Sequence, residues 1–418
     1  MNIAEKILAR ASGRSFVEPG EIVDAKVDRV MFHDLTGPMT LKAFEEMGGG
    51  LVWDPDRIVV IFDHIVPASS IASAENHAKL RRFVENQRIR WFYDVGRGGI
   101  CHQVMVEKGH VCPGELIIGA DSHTCMYGAL GAFATGVGAT DMAAILLTGR
   151  IWLRVPEAIM VKYTGSMPSY LSGKDLILYT IGKIGADGAN YKAVIYSGSV
   201  IENLSMDDRL TMSNMAVEMG AKTGIVEPDE TTLSYLKGRI DRNFSIVRSD
   251  GGAEYSEEYE FDVSDMEPQV ACPYRVDNVK PVSEIEGIPI DQAFIGSCTN
   301  GRLSDLRIAA KILKGRKVSR GTRLIVIPAS QDVYREALRE GLIEVLLESG
   351  AMICNPTCGP CIGVHLGVLS SGETCIASIN RNFIGRMGSR ESKVYLASPA
   401  TVAASAVEGR IADPRRYL

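Results

Sequence analysis

Short apolar runs that end on charged or small polar residues recur along this chain, and they set the reading of its fold. Residues 57–62 form a compact, β-branched run that ends on Asp63-His64. Residues 115–120 form another, ending on Asp121-Ser122-His123-Thr124. Runs of this length, apolar at nearly every position, suit strands covered on both faces of a parallel sheet. Residues 23–30 read as an alternating strand, and Gly37-Pro38 signals a turn before a helix over 39–47. Amphipathic spacing predicts further helices over 3–12 and 71–88. Strand, loop and helix in succession make the unit of a parallel α/β sheet, where active residues collect past the carboxyl ends of strands. Two such ends here deliver an Asp–His pair. Gly128, Gly131, Gly136 and Gly138 mark a small-residue segment. It matches neither a Walker loop nor a dinucleotide fingerprint placed directly after a strand.

From about residue 150 the texture changes. Residues 156–161, 174–184 and 193–196, with a helix near 208–219, give a mixed α/β stretch. Residues 245–290 hold few apolar runs and many acids, with a connector expected around 264–288. The α/β pattern then returns. Strands are expected at 292–295, 324–327, 351–354 and 373–379, with helices at 302–314 and 331–348. The organisation read from this is three α/β domains, 1–150, 151–275 and 276–418, with mostly parallel sheets.

Composition narrows the class. The chain has 418 residues, 46% hydrophobic and 23% charged, which suits a globular protein with a full core. A net charge of −6 argues against a nucleic-acid or acidic-membrane partner. Nine cysteines, an odd number in a long chain, favour reduced thiols and a cytoplasmic location over a secreted disulfide framework. The first residues lack a basic stretch followed by an apolar core, so no signal peptide is expected. No apolar run approaches the ~20 residues that span a bilayer.

Candidate chemistry centres on three cysteines. Cys298 lies in Gly296-Ser297-Cys298-Thr299-Asn300-Gly301-Arg302, and Cys358 and Cys361 form a C-x-x-C about sixty residues on. Four cysteines would close a tetrahedral metal site or a cubane, whereas three leave one corner open. A [4Fe–4S] cluster on Cys298, Cys358 and Cys361 would have one iron without a protein ligand, and so a Lewis acid. A C-x-x-C also suits a redox dithiol or half a zinc site, and buried cysteines often only fill space. Arg381 and Arg386 could grip carboxylates, although a surface pair looks the same in sequence. Asp63-His64 and Asp121-x-His123 could each be an acid that charges an imidazole, or an ordinary core histidine. Together these parts describe reversible dehydration of a small hydroxy acid.

The motifs Asp63-His64, Ile100-Cys101-His102-Gln103, Gly119-Ala120-Asp121-Ser122-His123-Thr124, the Cys298 turn, Cys358-Gly359-Pro360-Cys361 and Asn380-Arg381-Asn382-Phe383-x-Gly385-Arg386 run in one order. In that order the chain resembles the aconitase superfamily over nearly its whole length, in the branch of isopropylmalate dehydratase and homoaconitase type. The resemblance implies an aconitase-like three-domain fold and a hydro-lyase acting on a 2-hydroxy di- or tricarboxylic acid, such as the one of leucine biosynthesis. It implies cluster ligation by Cys298, Cys358 and Cys361. It implies an acid pair at Asp63 and His64, with His102, Asp121 and His123 lining the site. His33, Ser122, Asn300, Asn380, Arg381 and Arg386 would contact substrate or lie beside the cluster. The other six cysteines would be structural.

Two departures from the family pattern stand out. The swivelling fourth domain, which carries the serine base and another arginine, is lacking, so a separate small subunit is expected to bring it. The family also has a glutamate in an apolar-Glu-aromatic-x-Gly segment, and Val194-Ile195-Tyr196-Ser197-Gly198 reads as its equivalent, with Ile195 at the glutamate position. Isoleucine can neither ionise nor accept a hydrogen bond. The competing expectations are a dimethylmalate-type dehydratase, a catalytically silent iron–sulfur or RNA-binding relative, and a zinc-binding structural protein.

Overall fold

A computed structural model describes residues 1–418. The apolar runs form strands, and the strands form three main sheets. The first has five parallel strands in the spatial order Trp91–Tyr93, Ile58–Ile61, Arg29–His33, Leu116–Gly119 and Phe133–Gly136. Ile58–Ile61 and Leu116–Gly119 are buried at every position, as their unbroken apolar sequences require. The second is parallel too, in the order Thr223–Val226, Ala193–Ser197, Ala158–Thr164 and Glu257–Asp262.

The third sheet has seven strands. Its parallel centre runs Lys393–Ala397, Thr374–Ala377, Gln292–Ile295, Arg323–Val326 and Met352–Ile353. Two antiparallel edge strands, Gln269–Ala271 and Val279–Pro281, extend it from the segment read as a connector. They lie on either side of residue 275, so the third sheet draws on chain from both sides of the expected boundary. One apolar core joins Phe32, Leu116 and Phe133 of the first sheet to Ile195 and Ile225 of the second. A second core joins Val194 and Tyr196 to Phe294 and Ile376's neighbours Cys375 and Ala377 in the third. No helix is long and apolar enough to cross a membrane.

Three elements differ from expectation. Residues 23–30 are two strands, Ile22–Lys26 and Arg29–His33, which belong to different sheets. The chain turns between them where Asp28 accepts the Leu116 N–H through Oδ2 at 2.8 Å. The helix expected over 331–348 is two, Gln331–Arg339 and Leu342–Ser349, because Gly341 takes φ +71°, the left-handed region that a helix cannot pass through. Gly37-Pro38 opens the helix Gly37–Glu46 instead of preceding it, since proline in a first turn loses no hydrogen bond.

The fold places catalytic candidates at strand ends. His33 and Asp34 end one strand of the first sheet, Asp63 and His64 the next, and Asp121 a third. Cys298 follows Gln292–Ile295, Asn380 and Arg381 follow Thr374–Ala377, and Cys358 follows Met352–Ile353. The loops of the first and third sheets interlock. The Asp63 carbonyl accepts from Cys358 N at 2.9 Å and from Thr357 Oγ1 at 2.8 Å. Ile100 N donates to Ala329 O at 2.9 Å.

Ile195 sits in the middle of the second sheet, 1% exposed, between Met160 and Ile225. It is a core residue, and Ile195→Glu inserts an unpaired carboxylate there. The expected outcome is a loss of about 3–5 kcal/mol, read as a large fall in melting temperature, with no gain in activity.

Candidate active site

Asp121 stands at the centre of four imidazoles. Its Oδ1 lies 2.9 Å from His102 Nε2 and 3.4 Å from His123 Nδ1. Its Oδ2 lies 3.5 Å from His33 Nε2 and 3.7 Å from His64 Nε2. The carboxylate also accepts the His123 backbone N–H at 2.7 Å, which fixes it at the start of the 3₁₀ run Ser122–Leu130. Burial would push this carboxyl up, but the surrounding imidazoles, His102 first among them, hold it well below the usual range. It is a permanent anion that orients rings.

Each histidine has a second partner. His64 Nδ1 meets Asp63 Oδ1 at 2.6 Å, and its ring stacks on His33 with centroids 3.8 Å apart. Burial works against a charged His64, yet Asp63 and Cys358 together outweigh it and raise the imidazole well above its ordinary value. His102 is held from the far side by the Tyr127 hydroxyl, 2.9 Å from Nδ1. Burial dominates there and lowers the imidazole, so His102 is neutral. With Nε2–H facing Asp121, its Nδ1 accepts from Tyr127. His123 Nε2 meets Glu218 Oε1 at 2.8 Å.

Two carboxylates set these loops. Asp34, fully buried, accepts backbone N–H groups from Asp63 at 2.8 Å and His64 at 2.9 Å through Oδ1, and from Ile65 at 2.7 Å through Oδ2. That nest holds the Asp63-His64 turn. Asp63 Oδ2 in turn accepts Cys101 N at 2.7 Å at the start of the helix Cys101–Glu107. A carboxylate at that end complements the helix dipole.

The three cysteines meet the histidines in one cavity of about 190 Å³. Its wall includes His33, Asp63, His64, His102, Asp121, Ser122 and His123 from the first sheet, and Cys298, Cys358, Cys361, Asn380, Arg381 and Arg386 from the third. Clefts of about 510 and 590 Å³ lie elsewhere, but neither contains a cysteine or histidine, so the donor set and not the volume marks the site. Asn300 is not on this wall. It is buried behind the Cys298 turn, where Nδ2 donates to Asp305 Oδ1 at 3.1 Å. Cys101, expected to be structural, does line the cavity.

The Cys298 turn is held in a demanding backbone. Ser297 has φ +77°, a conformation that costs a side-chain-bearing residue about 1–3 kcal/mol. Its Oγ accepts Thr299 N at 3.1 Å in return. Gly359, between the other two cysteines, has φ +59°, and a Cβ there would sit 2.4 Å from Ile327 Cδ1. All nine cysteines are free.

The residues present fit an iron–sulfur cluster. Cys298, Cys358 and Cys361 line one cavity beside Cys101, and two polar side chains point at their sulfurs: Asn380 Nδ2 donates to Cys298 Sγ at 3.3 Å and Arg386 Nη2 to Cys361 Sγ at 3.5 Å. Asn380 Oδ1 and Arg386 Nε are buried without protein partners. Burial pushes the Cys298 thiol well above its ordinary value and the Cys358 thiol up to about 12. Both become thiolates only with a cation bound, as sulfur ligands do.

Glu218 is the residue that reading the sequence missed. It follows the helix Met206–Asn214 in a short 3₁₀ run, Met215–Met219, in the segment Ala216-Val217-Glu218-Met219-Gly220. That apolar-Glu-apolar-Gly pattern lacks the aromatic of the family's apolar-Glu-aromatic-x-Gly segment. Its carboxylate bridges His123 and Arg381, whose Nε lies 2.8 Å from Oε1. Burial would raise the carboxyl, but the His123 hydrogen bond and the Arg381 charge bring it below the usual range. A carboxylate depressed on folding adds stability above its unfolded value of 4.5, and the increment fades as pH falls through the folded value. Glu218→Gln should therefore flatten the acid side of a melting-temperature profile below about pH 4.5. It should also cost about 10–100-fold in activity by freeing His123 and Arg381.

Comparison with known proteins adds four findings. The family model described as Aconitase family (aconitate hydratase) matches residues 5–286 and 278–409. The 3-isopropylmalate dehydratase large subunit 1 of Methanopyrus kandleri is 59% identical over 416 residues, covering 100% of this chain and 99% of that protein. The probable methanogen homoaconitase large subunit of Methanothermobacter thermautotrophicus is 52% identical over 420 residues, covering 100% and 98%. The crystal structure of the holo-form of Thermococcus kodakaraensis aconitase X aligns over 86% of this chain and 84% of that one, with a TM-score of 0.50 and 12% identity, a likeness of fold.

Proposed function

This chain belongs to the aconitase family, and we propose on that premise that it is the large, catalytic subunit of a cytoplasmic 3-isopropylmalate dehydratase. The observation that carries the reading is the single cavity in which three cysteine sulfurs, the Asp121-centred histidines and two arginines meet. The family implies a [4Fe–4S] cluster, which Cys298, Cys358 and Cys361 would hold with one iron free of protein ligands. Bound there, the cluster supplies a Lewis acid for a substrate oxygen.

The chain's own residues do the rest. Asp63 and Cys358 keep His64 protonated, and with Nδ1 tied to Asp63 the proton given to the departing hydroxyl is the one on Nε2. His33, stacked on that ring, holds its plane. Neutral His102 and Glu218-paired His123 order the opposite wall. Arg381 has only its Nε committed, to Glu218, so its two terminal amino groups are free to grip a carboxylate, and Arg386 faces the same cavity. Ser122 and Asn380 offer further polar contacts. The base that takes the carbon-bound proton would come from a small subunit carrying the swivelling domain, a partner that the large-subunit names of the relatives support.

The test is dehydratase activity of the anaerobically reconstituted chain with its small subunit, followed by ultraviolet absorbance of the unsaturated product. Activity is expected on 3-isopropylmalate and absent without the small subunit. The 52% identical relative supports a second reading, homoaconitase, which activity on homocitrate alone would select. No activity on any hydroxy acid with the cluster in place would overturn both.

A further inference from the structure

Lys174 is fully buried, and both its burial and its place in the helix oppose its charge. It sits in the first turn of the helix Gly173–Ile184, where the helix dipole disfavours a cation. No carboxylate lies within ion-pair distance. The adjacent Asp175 spends its oxygens on Ser172 and on Gln269 N. A buried cation without a counter-ion costs several kcal/mol. Lys174 Nζ instead donates to two carbonyls, Ser378 O at 2.9 Å and Ile379 O at 2.5 Å.

Those carbonyls belong to the backbone that carries the cysteine site. Ser378 Oγ donates to Gly296 O at 3.2 Å and accepts Gly296 N at 3.0 Å, two residues before Cys298. Ile379 precedes Asn380, whose amide touches Cys298 Sγ. A second buried cation without a carboxylate partner lies at the same turn. Arg302, 2% exposed, donates to Cys298 O at 3.1 Å and Thr299 O at 2.8 Å. Asp305 favours both charges without an ion pair to either, and an anion in front of the three cysteines would complete the balance. An iron–sulfur core on three thiolates is a net anion.

We propose that Lys174 is the built-in counter-charge of the cluster, a positioning residue whose buried ammonium and the bound cluster stabilise each other. The inference rests on the cluster reading above. Unlike a simple clamp on two carbonyls, a counter-charge matters most when the cluster is bound.

The experiment compares wild type, Lys174→Gln and Lys174→Met, each as apo chain and after anaerobic reconstitution. The expected result is a near-wild-type apo melting temperature in the neutral variants, with a smaller rise on loading. Chelator competition should show cluster affinity about 10–100-fold weaker. The midpoint potential of the bound cluster should move negative, because a lost positive charge disfavours an added electron. Lys174→Arg should restore all three readouts. Equal losses of melting temperature in apo and loaded forms with an unchanged potential would overturn the proposal, and so would neutral variants that fail to fold as apo chains. A wild-type chain that takes up no iron and sulfide would instead refute the cluster reading beneath it.

Discussion

Cys298→Ser is expected to abolish dehydratase activity and to leave the reconstituted chain short of iron and acid-labile sulfide. Cys298 is one of four cysteines on the cavity wall and one of the three proposed as ligands, and its turn is the one with a strained serine in it. A hydroxyl in its place is a harder, less acidic donor than a thiolate, so a soft-ligand cluster loses a corner. Losing the Lewis acid that the proposed cluster would supply should remove several kcal/mol from the barrier reduction, or about 10³-fold or more in rate. Cys375→Ser is the control. That thiol is buried in the strand Thr374–Ala377 and does not line the cavity. Cys375→Ser should keep full iron and sulfide whatever it costs in stability. Visible absorbance, iron content and sulfide content read the two variants side by side. Metal without sulfide in the wild type would point to zinc. A full complement in Cys298→Ser would remove that residue from the ligand set.

His64→Gln is expected to lower kcat by about 10²–10⁴-fold while the cluster loads normally. The glutamine can still meet Asp63 and fill the space beside His33, but it has no proton to give. Because Asp63 keeps its contact with Cys101 N, the helix Cys101–Glu107 should stay in place and substrate should still bind. The split between a large loss in kcat and a small change in KM is the readout. A variant that loses KM instead would recast His64 as a binding residue.

Much of the site that the sequence made legible lies past the ends of apolar runs, although His102 stands in the first turn of the helix Cys101–Glu107. Asp63-His64 and Asp121-x-His123 each follow a strand that any hydropathy pattern would mark. The cysteines and arginines follow strands of the third sheet in the same way. Glu218 was hidden because it follows a helix whose residues are polar or amphipathic and then a short 3₁₀ turn, where no apolar run points to it. Ile195 drew the assignment instead because an apolar residue before an aromatic and a glycine is also what a buried strand entering a turn looks like. Asp34 stood beside His33 in plain view, but its work is to bind three backbone N–H groups of another loop, and that contact exists only in the folded chain. The split of residues 23–30 was illegible for a different reason: hydropathy records which residues are buried, not where two strands part into separate sheets.

The Asp63 carbonyl that accepts Thr357 Oγ1 and Cys358 N closes a span of 294 residues. On the ribosome, the first sheet emerges and can fold long before its partner loop exists, since domains tend to fold as they are made. Until residue 358 leaves the exit tunnel, the Asp63 turn has its Asp34 nest but no cysteine loop against it. A nascent or prematurely terminated chain thus exposes an acid–histidine wall with nothing opposite. A cluster held as proposed would find its three thiols together only after residue 361 has emerged.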